Sequence, residues 1–60
     1  MWCIGMLVQF PYGTDYQAGV IISSPKQYYM VGELVEVWVK GEIKKIRTKD
    51  LQLQPFTEKI

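Results

Sequence analysis

Residues 31–53, VGELVEVWVKGEIKKIRTKDLQL, decide the fold of this chain. They read as strand, two-residue turn, strand, short polar turn, strand. Val35, Val37 and Val39 alternate with Leu34, Glu36 and Trp38, the period of a strand with one buried face. Lys40-Gly41 follows, and Gly41 supplies the positive φ that a tight hairpin needs. Glu42 to Arg47 returns as the partner strand. Its apolar residues, Ile43 and Ile46, cannot share a face of a flat strand, and a bulge or bend near Lys44-Lys45 would reconcile them. Thr48-Lys49-Asp50 suits one helical turn. Leu51 to Gln54 then closes as a last strand with Leu51 and Leu53 inward, ended by Pro55.

Pairing across a two-residue turn sets Trp38 opposite Ile43, Glu36 opposite Lys45 and Leu34 opposite Arg47. This register makes an apolar pair and an ion pair on the outer face. It also leaves Leu34, Trp38 and Ile43 on one outward surface, which a monomer seldom exposes.

Upstream, Met6 to Phe10 reads as a first strand, introduced by Gly5 and ended by Pro11. Residues 11–16, PYGTDY, carry loop chemistry. Gln17 to Ser23 is a second strand in which Ala18, Val20 and Ile22 share one face. Gly19 in its interior points to a bend or a close backbone approach. Ser24-Pro25-Lys26 breaks the run, and Gln27 to Val31 is either an extended loop or a short continuation strand. No stretch holds a helical period, so the class is all-β.

The size and composition set further bounds. Sixty residues, 48% of them hydrophobic, make one small globular domain with no disorder signature. The domain is expected over residues 1–60, with its core at about 5–54 and with 1–4 and 55–60 as terminal extensions. The single cysteine, Cys3, forbids an internal disulfide and reads as a small apolar residue at a terminus. A free thiol suits a reducing compartment. The opening MWCIGMLVQF lacks a basic leader and a small-residue cleavage site, and it is too short to span a membrane. A cytoplasmic location is therefore expected, with no membrane partner.

No histidine is present, which removes the commonest general base and the commonest metal ligand. The carboxylates are scattered, with no calcium loop, and no phosphate loop follows Gly32 or Gly41. The expectation is a non-enzymatic protein without cofactor, metal or small-molecule substrate.

The net charge is only +1, yet residues 40–49 carry five cations against one anion, and the rest of the chain two against five. Such asymmetry can steer a partner, and it is also how a solvated strand edge discourages aggregation.

Five short strands, a long first loop, a tight third turn and a one-turn link before the last strand resemble the SH3-like barrel over residues 5–54. Within that class it resembles very small SH3-like, KOW- and Tudor-like barrels found among uncharacterised bacteriophage proteins. The residues that carry the resemblance are Gly5-x-Leu7-Val8, Gly19-Val20-Ile21, Val37-x-Val39-x-Gly41 and Thr48-x-Asp50-Leu51. The resemblance implies a five-stranded barrel used for binding, in a phage accessory or virion-associated protein.

Two surfaces are candidates. The first, for a protein partner or a second copy, joins Trp2, Leu34, Trp38 and Ile43 with Tyr12 and Tyr16 of the first loop. Alternatively Trp2 folds over Trp38, and the two tyrosines cover the open end of the barrel. The second is a single-stranded nucleic-acid surface. There Lys44, Lys45, Arg47 and Lys49 would hold phosphates while Trp38, Tyr28 and Tyr29 stack on bases. Polyproline recognition fits poorly, because Trp38 lies at the far end of its strand and Thr48-Lys49-Asp50 brings no proline.

Overall fold

The structure, a computed structural model, describes residues 1–54. It is all-β among these residues, with six strands and a single 3-10 turn. The strands are β1 (Leu7–Tyr12), β2 (Asp15–Ile21), β3 (Lys26–Tyr28), β4 (Gly32–Val39), β5 (Glu42–Arg47) and β6 (Gln52–Leu53). They form one antiparallel sheet curled into a half-barrel. β4 is its axis. One edge of β4 is lined along its length by β5. The other edge takes β2 at Val37 and Trp38, and β3 at Gly32 to Leu34. β1 lies between β2 and β6.

The hairpin read from the sequence forms as its alternation requires. Lys40 and Gly41 both have positive φ, 50° and 85°, the signature of a type I′ turn, whose twist matches that of the flanking strands. The register is Trp38 to Ile43, Glu36 to Lys45 and Leu34 to Arg47, as expected. Val35, Val37 and Val39 are buried, with Val8, Phe10, Ile21 and Leu51 completing the core. Trp2, Met6 and Ile46 pack against it. Thr48–Asp50 makes the short helical turn, closed by the Leu51 N–H donating to the Thr48 carbonyl at 3.1 Å.

Several expectations are corrected. The register from Leu34–Arg47 to Val39–Glu42 is unbroken, so β5 has no bulge. Ile43 and Ile46 lie on opposite faces, Ile43 outward and Ile46 against the core. The first loop is mostly strand, because β1 and β2 pair out to Tyr12 and Asp15. Pro11 does not end β1. The Leu7 carbonyl accepts from the Gln54 N–H on the β6 side, so Pro11, at the same parity, turns its missing N–H toward that side beyond the end of β6.

Residues 26–28 form a separate sixth strand beyond the Ser24-Pro25 break. In β2 the buried residue is Ile21, while Ala18, Val20 and Ile22 occupy the outward face. Leu53 is exposed at the sheet edge, and Cys3 is exposed rather than tucked in. The proposed extension at 55–60 lies outside the described residues.

Gly19 is where the sheet is tightest. A Cβ there would come within 2.6 Å of the Trp38 carbonyl oxygen and of a Val37 methyl. Close approach, rather than an unusual φ, is why glycine suits this position.

Candidate functional site

The outer face of the sheet carries one line of apolar side chains that crosses four strands. Leu7 of β1 pairs with Val20 of β2, Val20 with Trp38 of β4, and Trp38 with Ile43 of β5. Directly paired residues project from the same side of a sheet, so these four stand side by side. Leu7 is 59% exposed, Trp38 48% and Ile43 60%, with Val20 half-buried between them. Leu7, Ala18, Val20, Trp38, Lys40 and Gln54 line a shallow groove above Gly19. Gly19 contributes only backbone to the groove, because its side-chain position lies on the inner face with Val8, where a Cβ would meet Val37 and Val39.

The rows on either side of this line are mainly polar. On one side are Gln9 and Gln52, joined by a 3.0 Å side-chain hydrogen bond, then Ala18 and Lys40. On the other are Ile22, Glu36 and Lys45. The Ile22 N–H donates to the Glu36 carbonyl at 2.9 Å, and the Glu36 N–H donates to Ser23 Oγ at 2.9 Å, which fixes this boundary. The row is the longest apolar line on a face whose flanking rows are polar except at Ala18 and Ile22.

Of the candidate protein-contact residues, the structure brings Trp38 and Ile43 together and separates the others. Leu34 is half-buried two rows away, beyond Glu36, beside Lys26 and Tyr28. Trp2 packs against the core and lines a hollow with Ser24, Pro25 and Glu33, away from Trp38. Tyr12 and Tyr16 are exposed neighbours in the β1–β2 hairpin but project from opposite faces, Tyr12 at the parity of Phe10 and Tyr16 opposite Pro11. Leu7 and Val20 belong to the stripe although the sequence reading left them out. Only the β1–β2–β4 register reveals them, and no short turn announces that register.

The basic set is divided as well. Lys44 pairs with Val37 and so lies on the inner face, where its Nζ sits 4.7 Å from the centre of the Tyr12 ring. Lys45 lies outward, but the expected ion pair with Glu36 does not form. Its Nζ instead stands 5.3 Å from the centre of the Tyr28 ring. Arg47 Nε meets Asp50 Oδ2 at 3.3 Å, the one ion pair among the described residues. Lys49 is exposed on the 3-10 turn, and Tyr29, 91% exposed, stands at the tip of the β3–β4 turn. Among the described residues no group of three acidic or cysteine side chains gathers to hold a metal ion, and no helix is long and apolar enough to cross a membrane.

The chain matches no protein-family model, and no curated protein or solved structure is detectably similar to it.

Proposed function

We propose that the protein is a non-enzymatic SH3-like barrel that docks protein on its outer sheet face. The row Leu7–Val20–Trp38–Ile43 is the observation that carries this reading. Single exposed hydrophobic residues are ordinary, whereas a contiguous line of them across four strands is the surface pattern of an interaction site. Tryptophan at the centre of such a line is the residue type most often found to dominate binding energy. The non-enzymatic part rests on composition, with no histidine and a single cysteine.

The SH3-like part of the reading is supported by strand order. Reading across the sheet gives β6-β1-β2-β4-β5, the first strand held between the last and the second, with the one helical turn leading into the last strand. β3 then counts as the far half of a divided second strand, and the six strands reduce to the five of that barrel. An accessory or virion-associated place in a phage is the part of the reading that rests on the sequence resemblance alone.

Affinity capture from lysate of the native host, with and without nuclease, tests the reading. Capture of protein that survives nuclease and is lost in Trp38→Ala is the expected result. Capture that persists in Trp38→Ala overturns it. Capture abolished by nuclease also overturns it and favours single-stranded nucleic-acid binding through Lys45, Lys49 and Tyr29.

A further inference from the structure

We propose that the occupant of the outer row is a second copy of this chain, packed so that the two β4 strands run antiparallel across the contact; this inference rests on the docking reading above. The outward residues of β4 and its turn are, in order, Glu36, Trp38 and Lys40. They form an acid, an aromatic and a base at equal two-residue spacing, roughly 7 Å apart at the rise of an extended strand. The pattern is its own complement when reversed. A copy turned about an axis along the row lays Trp38 beside Trp38, Lys40 over the partner's Glu36, and Glu36 over the partner's Lys40.

The same rotation carries Leu7, Val20 and Ile43 onto their own equivalents, because the axis runs along the row that contains them. The contact is isologous, the kind that closes at two copies. The alternative axis, parallel to the strands, would set Glu36 against the Ile22 column and Lys40 against the Ala18 column. That arrangement buries two charges without partners, a costly outcome that selects the first axis.

Two further observations support the same pairing. Among the described residues neither Glu36 nor Lys40 forms an ion pair within its own chain, Glu36 standing opposite Lys45 without meeting it. Lys40 also sits at φ 50°, a geometry that asparagine or glycine adopts more readily than lysine. A strained residue with a free charge at the edge of an apolar groove is accounted for if that charge has work in an assembly.

The size of the face bounds the strength. Five strands at about 4.8 Å spacing make a face roughly 19 Å across. Its three central rows, about 7 Å apart, are roughly 14 Å tall, so the covered face lies at or below the lower end of what specific complexes use, about 1,200 Å² in total. A contact of that size is expected to be weak and reversible, its affinity set by the quality of the Trp38 and charge contacts rather than by area.

Sedimentation velocity over a concentration series, with Glu36→Lys and Lys40→Glu each alone and mixed, tests the pairing. Wild type is expected to dimerise. Each single variant sets like charges against each other at both places and should dimerise at least tenfold more weakly. Mixing the two in equal amounts restores opposite charges at both places and should restore dimer. Circular dichroism matching that of wild type confirms that each variant is folded, and the double variant Glu36→Lys/Lys40→Glu, which should dimerise by itself, serves if either single variant is not.

A wild type that stays monomeric up to about 1 mM overturns the proposal, as does a mixture no better than its components. Either result, with Trp38-dependent protein capture intact, leaves the docking reading standing with a different partner. Failure of both experiments removes both.

Discussion

Gly19 and Lys40 show how much a single backbone position decides in a chain this short. At Gly19 any Cβ meets the Trp38 carbonyl and the methyls of Val37 and Val39 at 2.6–2.8 Å. Relief requires β2 to move off β4, and both strands are held by their own ladders. Gly19→Ala is therefore expected to destabilise the protein by about 1–3 kcal/mol, the usual range for overpacking. It should appear as a lower urea midpoint with an unchanged slope. Lys40 has the opposite sign. Left-handed geometry costs an ordinary residue about 1–2 kcal/mol, and asparagine before Gly41 fits the turn best. Lys40→Asn should raise protomer stability by about 0.5–1 kcal/mol, measured by urea unfolding at low protein concentration, while weakening self-association by removing the charge. The close approach at Gly19 was legible as a glycine inside an alternating run. The positive φ at Lys40 follows from the turn type, which the dipeptide Lys40-Gly41 implies once both neighbours are strands. The Lys45 side chain was not legible, because register places it opposite Glu36 but does not say whether it turns to Glu36 or to Tyr28.

At the scale of elements, the β4–β5 hairpin was readable because period and turn agree. Three valines at alternate positions and a two-residue turn leave one register that buries all three. The β1–β2 hairpin was not, because Pro11, Gly13 and Asp15 look like loop while the ladder runs through two of them. A proline whose N–H side faces an open edge is invisible to a rule about prolines within sheets. β5 illustrates a further limit. Ile43 and Ile46 invited a bulge on the premise that both belong inside, whereas Ile43 belongs to the outer row. Lys44 takes the inner position between them, where a charge on an edge strand discourages pairing with other chains. Its ammonium meets the Tyr12 ring. An exposed cation–π contact is worth about 0.5–1 kcal/mol. A double-mutant cycle of Lys44→Gln with Tyr12→Leu, read from urea midpoints, should therefore return a coupling of about that size. The control pair Lys49→Gln with Tyr12→Leu should return none, and equal couplings in the two cycles would discard the contact.

At the scale of the whole molecule, a 60-residue chain has little stability to spare. Its all-β class was evident from composition and period, and the inner face from the valines. The outer row was not, because Leu7 and Val20 join Trp38 and Ile43 only when four strands are aligned. A row of that kind is a liability for a small monomer and a resource for a dimer, since covering it removes apolar surface from water and adds stability that the lone chain lacks. The two cases differ in a simple measurement. A monomer melts at one temperature whatever its concentration. A dimer that melts to unfolded monomers gains stability by mass action, about 2.7 kcal/mol when the partner is present at a hundred times its dissociation constant. For a domain of this size each kcal/mol raises the melting temperature by about 4–8 °C. Raising the concentration from well below the dissociation constant to well above it should therefore lift the wild-type transition by roughly 10 °C or more. Lys40→Glu should melt at nearly one temperature over the same range, and an equal mixture with Glu36→Lys should recover the rise. A wild-type transition that does not move with concentration would leave the apolar row without a second copy to cover it, whatever its shape suggests.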